Sequence, residues 1–88
     1  MKRERLEIIR DILLIIRDYK SIKRTPLLRK SNLSSQRFSE YFKELLEKEL
    51  IGEATDSKGK KKVSLTEKGS RYLEKYRTIV SFIDEFEL

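Results

Sequence analysis

Residues 31–65 read SNLSSQRFSEYFKELLEKELIGEATDSKGKKKVSL, and the spacing of their apolar positions changes once along the way. In the first half Phe38, Tyr41, Phe42, Leu45 and Leu46 recur at helical spacing, with Gln36, Ser39, Glu40, Lys43 and Glu47 largely on the opposite face. Ser34 or Ser35 is placed to cap that helix, which is expected to run to about Leu50. The preceding Ser31-Asn32-Leu33-Ser34 is a polar turn around one apolar residue. In the second half, Ile51 to Thr55 and Lys61 to Leu65 each have the length and character of a strand. Asp56-Ser57-Lys58-Gly59-Lys60 joins them, and Gly59 supplies the backbone freedom of a tight turn.

Working outward, Thr66 caps a last helix that begins Glu67-Lys68-Gly69 and runs nearly to Leu88. On the other side, Thr25-Pro26 announces a short helix, with Thr as cap, Pro in the first helical position, and Leu27 and Leu28 buried. The chain opens on a helix from about Arg3 to Lys20. Leu6, Ile9, Leu13 and Ile16 form one stripe there, and Ile8, Ile12, Ile15 and Tyr19 a second. So wide an apolar surface is expected to pack on two sides. The order helix, helix, helix, strand, strand, helix is a mainly α fold with a small β-hairpin, a helix-turn-helix followed by a wing. One domain spans residues 1–88, with a core over 1–65 and a long last helix over 66–88.

Composition narrows the chemistry. The 88 residues contain neither Cys nor His, which removes thiolate or imidazole metal sites and His-based catalysis; no cofactor is expected. The Gly residues at 52, 59 and 69 are too scattered for a phosphate-binding loop, and the carboxylates lie spread on helix faces, so an enzyme is the weakest reading. The longest apolar run, Ile12 to Ile16, is closed by charge on both sides, and no secretion signal follows the N-terminus. A cytoplasmic protein, away from membranes, is expected.

Lys and Arg number 21 against 15 Asp and Glu, a net +6, and the excess is unevenly placed. Lys23, Arg24, Arg29 and Lys30 give residues 21–34 a net +4. Lys58, Lys60, Lys61 and Lys62 leave the hairpin at +2, whereas residues 35–50 come to −1. Positive charge thus flanks the third helix, in segments that follow the phosphate backbone when such a fold docks on a duplex. At the start of that helix Ser34, Ser35, Gln36 and Arg37 are residue types that reach phosphates or base edges, with Ser39 and Lys43 a turn further on. The expected partner is double-stranded DNA, with the third helix in the major groove. The bland alternatives are a soluble hairpin tip and a solvated helix face.

The last helix carries two interleaved apolar series: Leu73, Tyr76, Val80 and Ile83, then Tyr72, Ile79 and Phe86. A small domain needs one seam to cover its core, and the second predicts a two-fold homodimer through this helix. Folding back of the helix on Ile8, Ile12 and Ile15 of its own chain is the competing arrangement.

Asn32-Leu33-Ser34, Phe38, Tyr41-Phe42, Leu45 and Leu50-Ile51 together resemble the second half of an archaeal winged helix-turn-helix DNA-binding family that includes the small ten-kilodalton chromatin-associated proteins. Leu65-Thr66-Glu67-Lys68-Gly69, with Leu73 and Tyr76, is similar to the start of that family's C-terminal helix, and Leu6-Glu7-Ile8-Ile9 to its opening. The resemblance implies antiparallel pairing of the last helix with a second subunit. It also implies duplex binding in a regulatory or a chromatin-organising, nucleoid-associated role. Two features depart from the pattern: Glu49 stands where the family often has Gly, and the third helix is not basic. The alternative these leave is a winged-helix protein-interaction adaptor that does not bind DNA.

Overall fold

A computed structural model describes residues 4–88. Helix α1 (Arg5–Tyr19) runs through the middle of the molecule and buries Ile8, Ile9, Ile12, Leu13 and Ile16, the broad face its two stripes require. Its expected start at Arg3 lies outside the described residues. After Lys20, which turns the chain at φ 62°, residues Ser21–Ile22 form a short strand, β1. Local sequence pattern does not predict this strand. It exists because Ser21 and Ile22 pair antiparallel with Ser64 and Val63, and two residues carry no period of their own.

Helix α2 (Arg24–Ser31) begins earlier than expected. Lys23, in extended conformation and without a side-chain cap bond, is its N-cap, which moves Thr25 and Pro26 inside the first turn. Proline is tolerated there because the N–H groups of a first turn have no helical partner to lose. Asn32 ends the helix in the left-handed region at φ 59°, a conformation its short amide side chain accepts better than most. Beneath it Ser31 is buried; its hydroxyl donates to the Leu28 carbonyl at 2.7 Å and accepts from the Leu33 N–H at 3.4 Å.

Helix α3 (Ser35–Glu47) is capped by Ser34, whose hydroxyl accepts from the Arg37 N–H at 3.2 Å. It stops three residues before the expected Leu50. The Leu50 N–H reaches back to the Leu45 carbonyl at 2.9 Å and the Glu49 N–H to the Leu46 carbonyl at 3.1 Å, a closure that requires left-handed backbone between them. Glu49 supplies it at φ 59°. A side chain in this region costs about 1–2 kcal/mol, partly offset by the greater unfolded-state freedom of glycine. Glu49→Gly is therefore expected to stabilise the fold by roughly 0.5–1 kcal/mol, a rise of about 2–8 °C in thermal midpoint. A midpoint equal to or below that of the parent chain would show that Glu49 bears no such cost. The family resemblance, which has Gly at this position, acquires its physical reason here.

Strands β2 (Ile51–Thr55) and β3 (Lys61–Leu65) pair antiparallel from Ile51↔Leu65 to Thr55↔Lys61, as the sequence predicts, and β3 lies in the centre of a β1-β3-β2 sheet. Val63 and Ile22 face inward and close one side of a core built from α1, Leu27, Phe38, Phe42, Leu45, Leu50 and Ile51. Each such side chain stabilises the fold by about 1.5–3 kcal/mol relative to exposure. Helix α4 (Glu67–Glu85) touches this core only near its beginning, through Tyr72 and Leu73. Its middle runs beside α1 as far as Val80, and the exposed end carries on past it; the molecule measures 49 Å by 27 and 21 Å.

Candidate nucleic-acid interface

The wing is held from within. Asp56 accepts backbone hydrogen bonds from Lys58 and Lys60, both at 2.9 Å, while its own N–H donates to the Lys60 carbonyl at 2.8 Å. The Lys60 N–H, more than any other group, holds the Asp56 carboxyl below the usual carboxylate range, and Lys62 and Lys23 add to the effect. With Gly59 at φ 77°, this side-chain-locked turn fixes where the lysines project.

That placement brings distant cations together. Lys23, at the junction of β1 and α2, lies beside Lys60 of the wing, with Lys62 also near enough to act on its charge. Its ammonium is held below its ordinary value, chiefly by Lys60. Such crowding of like charge has an electrostatic cost unless an anion is shared. Next along the chain, the Arg24 guanidinium lies 4.5 Å from the Phe42 ring centre and 3.4 Å from the Ser39 hydroxyl, linking α2 to the exposed side of α3. Arg24 thus joins the segment beside the wing to Ser39, on whose side of α3 Ser35, Gln36 and Lys43 are exposed; Arg37, also exposed, faces away from it.

Other expected site residues lie apart from that path. The Lys30 ammonium sits 5.0 Å from the Tyr19 ring centre, at the end of α1. Arg29 is exposed on the last turn of α2, and Lys58 at the wing tip. Lys61 and Lys62, adjacent in sequence, leave opposite faces of β3; Lys61 is exposed and Lys62 half-buried.

Arg5 is not among the residues expected from the sequence. It forms an ion pair with Glu44 of α3, which Lys48 also reaches at 3.1 Å, and it shares a shallow depression with Arg37, Glu40, Tyr41 and Glu44. The Arg5 guanidinium does most to hold the Glu44 carboxyl below its usual range. Part of the negative charge counted on α3 is thereby neutralised within the protein. No local pattern signals this, because 39 positions separate the two residues.

On α4 the expected dimer residues divide. Tyr72 is half-buried, donates its hydroxyl to the Leu6 carbonyl at 3.1 Å and has its phenol raised by burial, while Tyr76 lies under Arg10 at 5.1 Å. Leu73 and Val80 are half-buried, whereas Ile79, Ile83 and Phe86 are exposed together with Phe82. Among the described residues, no helix is long and apolar enough to cross a membrane.

Comparison with known proteins adds to this geometry. The sequence profile of the winged helix-turn-helix family matches residues 2–84. The chain belongs to that family. None of the curated protein sequences matches it. Among solved structures, this winged helix-turn-helix chain is similar to Sso10a-2, a DNA-binding protein from Sulfolobus solfataricus, at 18% identity and a TM-score of 0.76 over 97% of this chain and 86% of that one. It is also similar to SSV1 F-93, at 23% identity and a TM-score of 0.68 over 98% and 97%. A MarR family transcriptional regulator from Silicibacter pomeroyi matches at 20% identity and a TM-score of 0.69, over 91% of this chain and 52% of its own length. At these identities the likeness establishes the shared fold.

Proposed function

We propose that this winged helix-turn-helix protein is a dimeric binder of duplex DNA, a transcription regulator or a chromatin-type architectural protein, without catalytic activity. Helix α3 enters the major groove with Ser34, Ser35, Gln36, Arg37, Ser39 and Lys43 toward the bases and adjoining phosphates. The wing lysines and the start of α2 follow the backbone. The observation that carries this reading is the convergence of Lys23, Lys60 and Lys62 beside Arg24 and Ser39. Separate segments of the chain bring these cations together, and neutralising phosphates releases condensed counterions, the main source of sequence-independent affinity. The description of Sso10a-2 as a DNA-binding protein supports the same partner.

Dimerisation is supported by the outer half of α4, where Ile79, Phe82 and Phe86 are each more than half exposed. Side chains of this size close together on the outer half of one helix form a patch that a second chain would cover. A nucleoid-associated place in the cytoplasm follows from the proposed partner.

The test is binding to a labelled duplex of random sequence, about 30 base pairs long so that it spans two half-sites. Titration at about 50 and about 200 mM salt is expected to give micromolar or tighter binding that weakens at least about tenfold at the higher salt. Absence of binding at both concentrations favours the protein-interaction adaptor. Strong preference for one sequence would separate a regulator from an architectural protein.

A further inference from the structure

The side of α3 that points away from the core is set by the residues it buries. Phe38, Phe42 and Leu45 face inward. At about 100° per residue, the line directly opposite them runs through Gln36, Glu40, Lys43 and Glu47, all exposed. Arg24 and Ser39 lie to one side of that line, and Arg37, Tyr41 and Glu44 to the other. Two of the four outermost residues are therefore acids, on the helix that the reading above places in the major groove. The acids of α3 are not alike. Glu44, off the line, is compensated twice, by Arg5 and by Lys48 at 3.1 Å. Glu40, one turn before it, borders the same depression as Arg5 and Arg37. Among the described residues, however, Glu40 pairs with no cation and accepts no hydrogen bond. Arg37 stands three positions earlier, a spacing at which ion pairs form on helices, and leaves it free.

A bare carboxylate facing a duplex is repelled by every phosphate, so it weakens binding unless it meets a hydrogen-bond donor. The major groove offers few. Guanine shows the acceptors N7 and O6, and thymine the acceptor O4 beside a methyl group. Adenine has its N6 donor next to the N7 acceptor. Cytosine shows a donor, the N4 amino group, with no acceptor of its own. We propose that Glu40 is a specificity-determining residue: its carboxylate accepts from the N4 amino group of one cytosine in the bound site and disfavours guanine or thymine in its place. The inference rests on the duplex-binding reading above and adds a sequence preference to it. In that reading the wing and the start of α2 hold phosphates, which gives affinity without selection. Glu40 lowers that affinity at every wrong site and restores it at the right one. Its neighbours on the line do not impose the same choice. Gln36 carries both donor and acceptor, and Lys43 is a donor that suits guanine or phosphate. Glu47 is the same chemical group two turns further on, at the last residue of the helix, so comparing the two acids separates base reading from plain repulsion.

The test is selection from duplexes of about 30 base pairs with randomised centres. They are bound by the full-length parent, Glu40→Ala, Glu40→Gln and Glu47→Ala, with melting curves to show that each variant folds. At one position the parent is expected to prefer cytosine over guanine or thymine by at least about fivefold. Glu40→Ala is expected to lose that preference while binding the unselected pool as well as the parent or better. Glu40→Gln is expected to move the preference toward adenine, whose N6 and N7 match an amide. Glu47→Ala is expected to keep the cytosine. A parent that prefers no base at any position overturns the assignment and leaves duplex binding standing. So does a cytosine preference that survives in Glu40→Ala, or that is lost in Glu47→Ala instead. A parent that binds no duplex removes both readings.

Discussion

Changing Lys23, Lys60 and Lys62 together to glutamate is expected to lower affinity for duplex DNA by at least about 100-fold at moderate salt, with the fold intact. Three lysine–phosphate pairs on each of two protomers would be about six, and pairs in that number govern affinity changes of roughly a thousandfold across the physiological salt range. The slope of log affinity against log salt is expected to flatten by about 0.9 for each phosphate that is no longer neutralised. Stability should not follow affinity. The three ammonium groups repel one another in the free protein, Lys60 chiefly holding Lys23 below its ordinary value, and three glutamates would repel one another and Asp56 in their turn, so the exchange of one like-charged surface cluster for another is expected to leave the thermal midpoint close to that of the parent. Equal thermal midpoints, combined with collapse of binding and a shallower salt slope, would place the phosphate-binding surface at the wing edge. A reduction smaller than about threefold would move it elsewhere on the domain and leave the Lys23 cluster unexplained.

The sequence identifies these three lysines without showing that they are neighbours. Lys60 and Lys62 belong to the hairpin and Lys23 to the segment before α2, and the sheet joins them. Strand β1 pairs Ile22 with Val63, which carries Lys23 to the foot of the wing. A strand of two residues is defined by its partner, so no reading of local period reveals it. The hairpin, by contrast, is legible to the residue, because a five-residue turn containing Gly59 separates two runs of suitable length. The end of α3 falls short of its expected position for a related reason. Glycine marks most left-handed helix stops, and here Glu49 adopts that conformation with a side chain attached, so nothing in the composition announces the turn. The beginning of α2 comes earlier than expected because Thr25-Pro26 has the form of a cap and first position. Tertiary pairing of β1 instead lets the helix begin at Arg24. Arg5 escapes a local reading because its partner Glu44 lies on another helix, and its charge matters only once α1 and α3 meet. On α4 the two apolar series are visible as a pattern. Their division into a half-buried base at Tyr72 and Leu73 and an exposed end depends on where α1 stops.

Gly69 is the position where a single methyl group is expected to do the most damage to the fold. Propensity alone favours alanine in a helix by about 1 kcal/mol, and Gly69 lies in the first turn of α4. Packing opposes it. A Cβ built there would overlap the carbonyl oxygen of Leu50 and lie 3.2 Å from its carbonyl carbon and 3.3 Å from Leu65 Cδ2. Two of those atoms are backbone, so no side-chain rotation relieves the overlap. The same junction is held by Thr66, whose hydroxyl donates to the Glu49 carbonyl at 2.6 Å and accepts from the Gly69 N–H at 3.0 Å. Separating α4 from the end of α3 to admit the methyl would break that cap, worth about 1 kcal/mol, in addition to the overpacking cost of roughly 1–3 kcal/mol. After the propensity gain, Gly69→Ala is expected to lose about 1–3 kcal/mol, a fall in thermal midpoint of roughly 4–24 °C for a domain of this size. Gly52→Ala is the control, since its Cβ would meet only Thr66 Cγ2 at an ordinary 3.8 Å. A melt that places Gly69→Ala within about 2 °C of the parent would mean that α4 can shift on its footing without cost. In that case the orientation of the helix, and with it the spacing of two wings on one duplex, would not be fixed at this junction. A large fall confined to Gly69 would show that the Leu-Thr-x-x-Gly element at residues 65–69 is a packing requirement, met where α4 crosses the end of α3 too closely for any side chain.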